Sequence, residues 1–246
     1  MYQKIISLAP SNTEILYALN ADDKLVACTR YCDFPSEAKK KPRIGGWLDI
    51  NDELVKKFEP DLLLTSTFVQ NKITEKYKKS RMNAVALMPT TLKGVFDSII
   101  EIGRLTGKEQ ESLKLIHKMK NSFDKIQNKI QKNDKQSTIN KNSIENNDSK
   151  NKIKKPRVYV EEWHKPPTVS GNWVPNLVKM AGGDYSLIRA GVHSKEVSTK
   201  QMQEYDPEVI VVSICGMADK VPKEGDNKER RLAEFKRCEK QQSLCF

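Results

Sequence analysis

Short apolar segments alternate with polar segments along the first ninety residues. Runs of this length are typical of buried strands, and their alternation with helices is typical of a mostly parallel sheet covered by helices. The polar stretches at 51–58 and 70–80 supply two of the helices. The pattern therefore predicts an α/β lobe over residues 1–90. Its predicted strands include KIISLA at 4–9, DLLL at 61–64 and AVALM at 84–88.

Two local signals predict further helices. Ser11 followed by Glu14 fits a capping box, in which both side chains satisfy backbone N–H groups at a helix start. From about 92 to 130, apolar residues recur at helical spacing, with a break near Gly107. We assign residues 91–126 to one long connecting helix.

An Asn- and Lys-rich segment follows this helix. Fifteen of the 29 residues from 127 to 155 are Asn or Lys. Such a composition buries too little apolar surface to offset the entropy lost on ordering. We therefore predict a disordered insertion over residues 127–156, after which a strand at 157–160 resumes the fold.

One nine-residue pattern occurs twice in the chain. FEPDLLLTS at 58–66 and YDPEVIVVS at 205–213 share the order aromatic, acid, Pro, acid, four largely apolar residues and Ser. Proline is tolerated at the start of a strand, where its missing N–H is harmless. Each copy follows a short polar helical stretch, so we predict a second α/β lobe over residues 157–218. The fold class is α/β, with two lobes of mostly parallel sheet joined by the long helix.

The formal charge of +11 is spread unevenly along the chain. Residues 121–157 contain ten Lys or Arg against four Asp or Glu, a local excess of +6. A nucleic-acid-binding domain instead carries its basic residues on one face of a folded element. We therefore expect no nucleic-acid partner.

The cysteines indicate no cofactor or disulfide framework. Their spacing matches neither a zinc ribbon nor a CxxC redox pair, and their odd number argues against complete disulfide pairing. Cys28 and Cys215 end apolar runs, so we predict small buried hydrophobes there. The five cysteines are Cys28, Cys32, Cys215, Cys238 and Cys245.

The sequence shows neither a membrane span nor an export signal. No run reaches the roughly 18 apolar residues of a membrane helix, so we predict that the chain does not itself span a membrane. It begins MYQKIISLAPS and enters a strand by about residue 4, without a signal peptide. As written, the chain carries no export signal and would be cytoplasmic, but the sequence alone leaves its compartment open.

Aromatic and hydroxyl side chains follow the predicted strands of both lobes. Ligands of α/β proteins bind beyond the carboxyl ends of the strands. Aromatic side chains bury about 150–250 Å² each, which suits a large, flat, partly apolar ligand. The candidates are Tyr31, Asp33, Trp47 and 65–68 in the first lobe, and 161–164, 170–173 and Ser213 in the second.

Enzymatic chemistry has weaker support in the sequence. Glu161 and Glu162 are adjacent, so in a strand they point to opposite faces and do not form an acid/base pair. His117, His164 and His193 lack metal-ligand spacing, and no GxSxG, P-loop or GxGxxG occurs. We expect a binding protein without catalytic residues, resident metal or cofactor. One alternative stays open, in which His164 ligates a metal centre that the ligand carries.

A series of motifs resembles one protein family. They are similar, in their order, to the iron-siderophore and vitamin B12 class of ABC-importer solute-binding proteins, most of all its cobalamin-binding branch. The resemblance covers about 1–120 and 157–217. The motifs are ISLAPSNTEILYALN, RYCDFP, GGWLDIN, EPDLLLTSTF, PTT, YVEEWHKPPTVSGNW, AGG and DPEVIVVS.

This resemblance implies both a fold and a role. Members have two lobes joined by a helical backbone, and they hold a corrinoid or metal chelate in the cleft between the lobes. They work outside the cytoplasm and deliver the ligand to a membrane permease. The resemblance therefore implies a cobalt corrinoid as the ligand, with a ferric chelate as the alternative. We expect a monomer.

The resemblance also implies site residues. Tyr31 and Trp47 match the family's aromatic residues that pack on the corrin, and Trp163 and Trp173 match those of the opposite wall. Further candidates for ligand contact are Thr67, Phe68 and His164.

The resemblance also implies how the protein docks on its permease. Family members dock through one acidic residue on each of their two lobes. Glu53 is the match in the first lobe. The repeated pattern gives Lys200 as the equivalent in the second lobe, which reverses the charge. Glu196 and Glu204 are the alternatives there.

The end of the chain departs from the family pattern. After Gly216 the sequence has almost no apolar periodicity, so we predict a divergent charged tail over residues 219–246 and an incomplete, truncated second lobe. Three alternatives to a corrinoid-binding protein stay open. They are an iron-siderophore-binding protein, a cytosolic corrinoid-handling or chelatase-like enzyme, and an inactive truncated paralogue.

Overall fold

The structure is a computed structural model that describes residues 1–142 and 155–214. These residues fall into two compact units. Unit 1 comprises residues 1–89 and 93–120, and unit 2 comprises residues 90–92 and those from 121 onward.

Unit 1 contains a parallel sheet with helices between its strands. Its elements are β1 (Ile5–Ser7), α1 (Pro10–Ala18), β2 (Leu25–Cys28), α2 (Asp52–Phe58), β3 (Leu62–Ser66), α3 (Asn71–Lys79) and β4 (Ala84–Leu87). The strand order is β2-β1-β3-β4, and every pair is parallel. These elements have the α/β architecture that the apolar rhythm predicts.

The central strands of unit 1 are buried on both faces, as continuous apolar runs predict for a parallel sheet. Ile5 and Leu64 pack with residues of α1 on one face of the sheet. Ile6 and Leu63 pack on the other face with Val55 of α2 and with residues of α3. This alternation follows from the two-residue period of a strand.

The first helix starts differently from the predicted capping box. α1 begins at Pro10, and its N-cap residue, Ala9, makes no side-chain capping bond. Proline suits the first helical position, because the N–H that it lacks would have no partner there. Ser11 therefore lies inside the first turn, and the capping box of Ser11 and Glu14 is wrong.

The long helical region consists of two helices. α4 (Leu92–Thr106) and α5 (Glu109–Asn142) are separated at Gly107, whose φ of +73° is rarely adopted by other residues. The break lies where the sequence predicted it. A segment predicted as a single connecting helix over 91–126 therefore contains this interruption.

α5 continues through Asn142, although we predicted a disordered insertion from residue 127. Ile130 lies against Gly182, where an added Cβ would come within 3.2 Å of Ile130 Cγ2. Lys and Gln are also good helix formers. The composition of the segment does not indicate that Ile130 gives α5 an apolar contact here. Residues 143–154 of the predicted insertion lie outside the described part of the chain.

Unit 2 contains a mixed sheet. Its elements are β5 (Val158–Trp163), β6 (Thr168–Val169), α6 (Val174–Met180), β7 (Lys195–Glu196), α7 (Thr199–Tyr205) and β8 (Val209–Val212). The order is β7-β6-β5-β8, with β5–β8 parallel and the other pairs antiparallel. Parallel pairing thus links β5 and β8 in the described residues, and the predicted tail at 219–246 lies outside them.

The repeated nine-residue pattern adopts the same local structure in both units. α2 and α7 are each seven residues long, and each is followed by an acidic C-cap residue in the left-handed conformation, Glu59 (φ +46°) or Asp206 (φ +42°). A proline and a parallel strand follow in both cases. The repeat inferred from sequence is therefore also a structural repeat.

Candidate ligand-binding residues

The loop after β2 exposes two aromatic side chains. Tyr31 is 46% exposed and Phe34 is 65% exposed. Arg43 fixes the backbone of this loop, since its Nη1 donates to the carbonyl oxygens of Thr29 (2.7 Å) and Cys32 (2.9 Å). The exposure of these rings is therefore a feature of an anchored loop.

Arg30 joins this loop to the one that carries Trp47. Its backbone N–H donates to Gly45 O (2.9 Å), and its guanidinium forms an ion pair with Asp49. Gly46 fits between these groups, because an added Cβ would clash with the Asp49 carboxylate and approach Arg30 within 3.0 Å. The two glycines of the GGW motif thus keep Trp47 next to the Tyr31 loop.

A buried glutamine places Trp47 at the carboxyl edge of the sheet. Gln70 Nε2 donates to Trp47 O and to Leu8 O, at 2.9 Å each. Gln70 Oε1 accepts from Ser66 N at 2.7 Å. The Trp47 loop is therefore tied to the ends of β1 and β3, and the Trp47 side chain stays 37% exposed.

Thr67 and Phe68 follow β3 at the same edge. Thr67 has a left-handed φ of +62°, and its buried Oγ1 has no hydrogen-bond partner among residues 1–142 and 155–214. Phe68 is 57% exposed. Four aromatic residues thus lie at one edge of the unit 1 sheet, and we call them the aromatic edge: Tyr31, Phe34, Trp47 and Phe68.

Two residues of this arrangement, Phe34 and Gln70, are not among the site residues predicted from the sequence. Phe34 lies within the RYCDFP motif, where only Tyr31 and Asp33 were chosen as candidates. Its position after a buried strand was the available signal. Gln70 lies in a stretch predicted as a polar helix, and no local pattern indicates that its side chain reaches three backbone groups.

The end of β5 in unit 2 carries two adjacent carboxylates with separate partners. Buried Glu161 places Oε1 at 2.9 Å from Nδ1 of His164. Glu162 Oε2 accepts from the hydroxyls of Ser194 (2.5 Å) and Ser170 (3.1 Å). The two carboxylates therefore bond to different side chains, as expected for adjacent residues that point to opposite faces of a strand.

The tryptophans of unit 2 differ in exposure. Trp163 is 50% exposed, and its Nε1 donates to Lys165 O at 3.0 Å. Trp173 is half-buried and precedes α6, where its carbonyl accepts from Asn176 N (3.1 Å) and Leu177 N (3.3 Å). Trp163 therefore offers the more accessible ring.

Glu53 and Lys200 hold equivalent places in the structural repeat. Each is the second residue of its helix, after the N-cap residues Asn51 and Ser198. Both side chains are exposed, and Lys200 Nζ lies 3.9 Å from a Glu204 carboxylate oxygen. The reversal of charge thus falls on matched positions, and the docking roles stay predictions.

Within residues 1–142 and 155–214, no three His, Cys, Asp or Glu side chains are grouped as metal ligands. No helix in the same ranges combines the length and apolar character of a membrane span.

A family model of periplasmic binding proteins matches residues 5–239. The chain belongs to this family. Its α/β fold and the order of its sequence motifs agree with that membership. The resemblance inferred from sequence to this class of binding protein is therefore confirmed.

The chain is similar in sequence to a vitamin B12-binding protein and to an ABC transporter substrate-binding lipoprotein. A vitamin B12-binding protein of Vibrio campbellii is 26% identical over 220 residues, which cover 88% of this chain and 73% of the relative. An uncharacterized ABC transporter substrate-binding lipoprotein of Bacillus subtilis is 33% identical over 131 residues. That match covers 52% of this chain and 41% of the lipoprotein's length.

Solved structures show the same fold. The periplasmic vitamin B12-binding protein of Vibrio cholerae superposes with a TM-score of 0.68 at 22% identity, over 98% of this chain and 86% of that one. A possible iron-binding, periplasmic solute-binding protein of Staphylococcus epidermidis has a TM-score of 0.65 at 25% identity, over 86% and 77%. The α/β fold class predicted from sequence is confirmed.

Proposed function

We propose that this chain is the solute-binding component of an ABC importer and that it binds a corrinoid through its aromatic edge. The exposure of this edge is the observation that carries the proposal. Exposed apolar groups that lie together mark interaction sites more often than scattered ones do. Large aromatic rings contribute wide, rigid contact surfaces, which suit a planar macrocycle.

The charges at the aromatic edge favour a corrinoid over an anionic ferric siderophore. Anionic chelates are typically bound by free arginine side chains. Arg30 adjoins the edge, but its guanidinium forms an ion pair with Asp49 and lies 5.9 Å from the centre of the Tyr31 ring. This pairing offsets its charge, so the edge has little attraction for a strongly negative ligand.

Residues of unit 2 are proposed as further ligand contacts. Trp163 is the first candidate, because half of its surface is exposed. His164 is the second, since Glu161 orients its ring through Nδ1. Trp173 and, in unit 1, Thr67 complete the proposed set.

The proposed partner is a membrane permease of the importer. Glu53 is the proposed docking residue of unit 1, because it is exposed on the first turn of α2. Lys200 at the matched position of unit 2 cannot supply the second acidic contact. We propose that Glu204, 3.9 Å from Lys200 on the same helix, takes that role.

Isothermal titration calorimetry against three ligand classes tests the proposed function. The full chain is titrated with cyanocobalamin, haemin and a ferric catecholate siderophore under the same conditions. We expect micromolar or tighter binding of cyanocobalamin and at least tenfold weaker binding of the others. Tightest binding of the siderophore would contradict the corrinoid assignment. No heat from any ligand, with a folded protein by circular dichroism, would contradict the binding function itself.

A further inference from the structure

Cys28 and Cys32 form a buried pair on either side of the exposed Tyr31. Cys28 ends β2, and both cysteine side chains are fully buried. The two thiols are free, and one nitrogen of Arg43, Nη1, contacts both residues, at Cys28 Sγ and at Cys32 O. A backbone hydrogen bond from Cys32 N to Thr29 O, at 3.1 Å, closes the turn between them. The fold therefore brings together two sulfurs that are four residues apart.

The surroundings of this pair stabilise a thiolate. Arg43 Nη1 lies 2.9 Å from Cys28 Sγ, and Thr29 Oγ1 lies 3.2 Å from Cys32 Sγ. The hydrogen bond from Cys28 lowers the pKa of Cys32 to about 6, and the hydroxyls of Thr13 and Thr29 contribute, although burial opposes them. Buried structural cysteines are inert, whereas reactive thiols are partly exposed and lie beside a cationic group such as this guanidinium.

We propose that Cys28 and Cys32 are a reversible dithiol–disulfide site, in which oxidation closes a short covalent ring through Tyr31. The spacing CTRYC gave no such indication, because the contact depends on the turn and on Arg43. A disulfide in this ring would fix the backbone of the loop that carries Tyr31, one member of the aromatic edge.

The reaction is an exchange with a small-molecule disulfide. The Cys32 thiolate becomes accessible when the loop that carries Tyr31 opens locally. It then attacks one sulfur of that disulfide, forms a mixed disulfide and displaces a thiolate. The displaced thiolate takes the proton of Cys28. The Cys28 thiolate then attacks the Cys32 sulfur, forms the internal disulfide and releases the second small thiolate. The two cysteines lose two electrons, and one small disulfide is reduced to two thiols.

Peptide mapping tests this proposal on the unaltered chain. The reduced, folded protein is incubated with excess oxidised glutathione at pH 8, alkylated and digested with trypsin. Cleavage after Arg30 separates the cysteines, so the expected disulfide joins peptides 25–30 and 31–39. The joined peptides should be lighter than the sum of the reduced ones by two hydrogen atoms, and dithiothreitol should separate them.

A simplified variant gives a second readout. In this variant Cys215, Cys238 and Cys245 are changed to Ser. After incubation with oxidised glutathione, neither of the two remaining thiols should react with the alkylating agent, and no stable glutathione adduct should be present. Adding Cys28→Ser should instead leave glutathione on Cys32, because the second attack is lost. Three results would overturn the proposal: two thiols that stay free in folded protein, a lasting adduct with both cysteines present, or a disulfide that forms only in urea.

Discussion

Gln70 and Trp47 are joined by a hydrogen bond from the Gln70 side-chain amide to the Trp47 carbonyl oxygen, over 2.9 Å. The same amide nitrogen bonds Leu8 O, and the amide oxygen accepts from Ser66 N. One buried side chain therefore fixes the Trp47 loop to two strand ends. Binding residues that are held in place before the ligand arrives lose less entropy on binding.

Gln70→Ala should weaken both the fold and the ligand site. Its removal leaves buried backbone groups of Leu8 and Ser66 without a partner, at a cost of about 2–3 kcal/mol. Urea unfolding should show this loss, and calorimetry should show about tenfold weaker binding of cyanocobalamin, or about 1.4 kcal/mol. Gln131→Ala, at an exposed position of α5, should change neither by more than about 0.5 kcal/mol. Equal effects of the two substitutions would contradict the role of Gln70.

The structural repeat includes a matched pair of carboxylates. Asp61 accepts backbone hydrogen bonds from Gln3 N (2.7 Å) and Lys4 N (2.9 Å), just before β1. Glu208 accepts from Arg157 N (2.8 Å), just before β5. Each acid thus ties the strand that follows it to the start of a parallel neighbour.

Asp61→Ala should therefore destabilise unit 1 by about 1–2 kcal/mol, since two backbone donors lose a charged acceptor. Asp61→Asn should cost less, because the amide oxygen still accepts one of the two bonds. The free energy of unfolding in urea is the measurement. Asp23→Ala, at an exposed acidic position, serves as the control. If Asp61→Ala matched that control, these bonds would contribute nothing measurable.

Stability of the reduced protein should depend on pH through Cys32. Hydrogen bonding lowers the pKa of this thiol to about 6, below its ordinary value of about 8.5. Between these pH values the unfolded chain binds more protons at Cys32 than the folded chain does. The contribution of Cys32 to the free energy of unfolding therefore grows as pH rises from 6 and is lost as pH falls through 6. The pKa of Cys28 is raised by its hydrogen bond to Cys32 and by burial, which lowers stability above about pH 8.5.

Urea unfolding with excess reductant at pH 5.5, 7 and 8.5 measures this dependence. The unaltered chain should gain stability over the range, whereas Cys32→Ser should show a flatter profile. The serine removes the ionising group and leaves the other titrating residues in place. Parallel profiles for the two chains would show that Cys32 does not titrate as described.

His164→Gln separates a binding role from an enzymatic one. Gln keeps a hydrogen-bonding group near Glu161 but cannot relay a proton in the neutral pH range. A binding protein should lose less than tenfold in cyanocobalamin affinity, and its bound corrinoid should keep its visible spectrum over hours. His117→Gln, exposed on α5, is the matched control. Spectral conversion by the unaltered chain that His164→Gln abolishes would favour the enzyme.

The sequence predicted those features that depend on local periodicity. Apolar runs such as 61–64 located the strands, and the repeated acid-Pro-acid pattern located α2, α7 and the strands after them. The aromatic candidates Tyr31 and Trp47 followed from their positions after buried strands. Their exposure in the structure agrees with a surface role, while ligand contact itself stays a prediction.

Two helix boundaries and two side-chain contacts were missed or wrong. Pro10 replaced the predicted cap because its ring sets the first helical turn, and α5 extends past residue 126 because Ile130 packs against Gly182. Gln70 reaches backbone groups that are distant in sequence. The Cys28–Cys32 contact depends on a turn that spacing rules do not encode.

Calorimetric titration of Trp47→Ala with cyanocobalamin tests the central claim most directly. Truncating a central aromatic contact typically costs more than about 1 kcal/mol of binding free energy. Leu113→Ala is the matched control, because Leu113 is an exposed apolar residue on α5 and is not a member of the aromatic edge. We predict at least tenfold weaker binding for Trp47→Ala and unchanged binding for Leu113→Ala. Equal affinities for the two variants, both folded by circular dichroism, would contradict a corrinoid site at the aromatic edge.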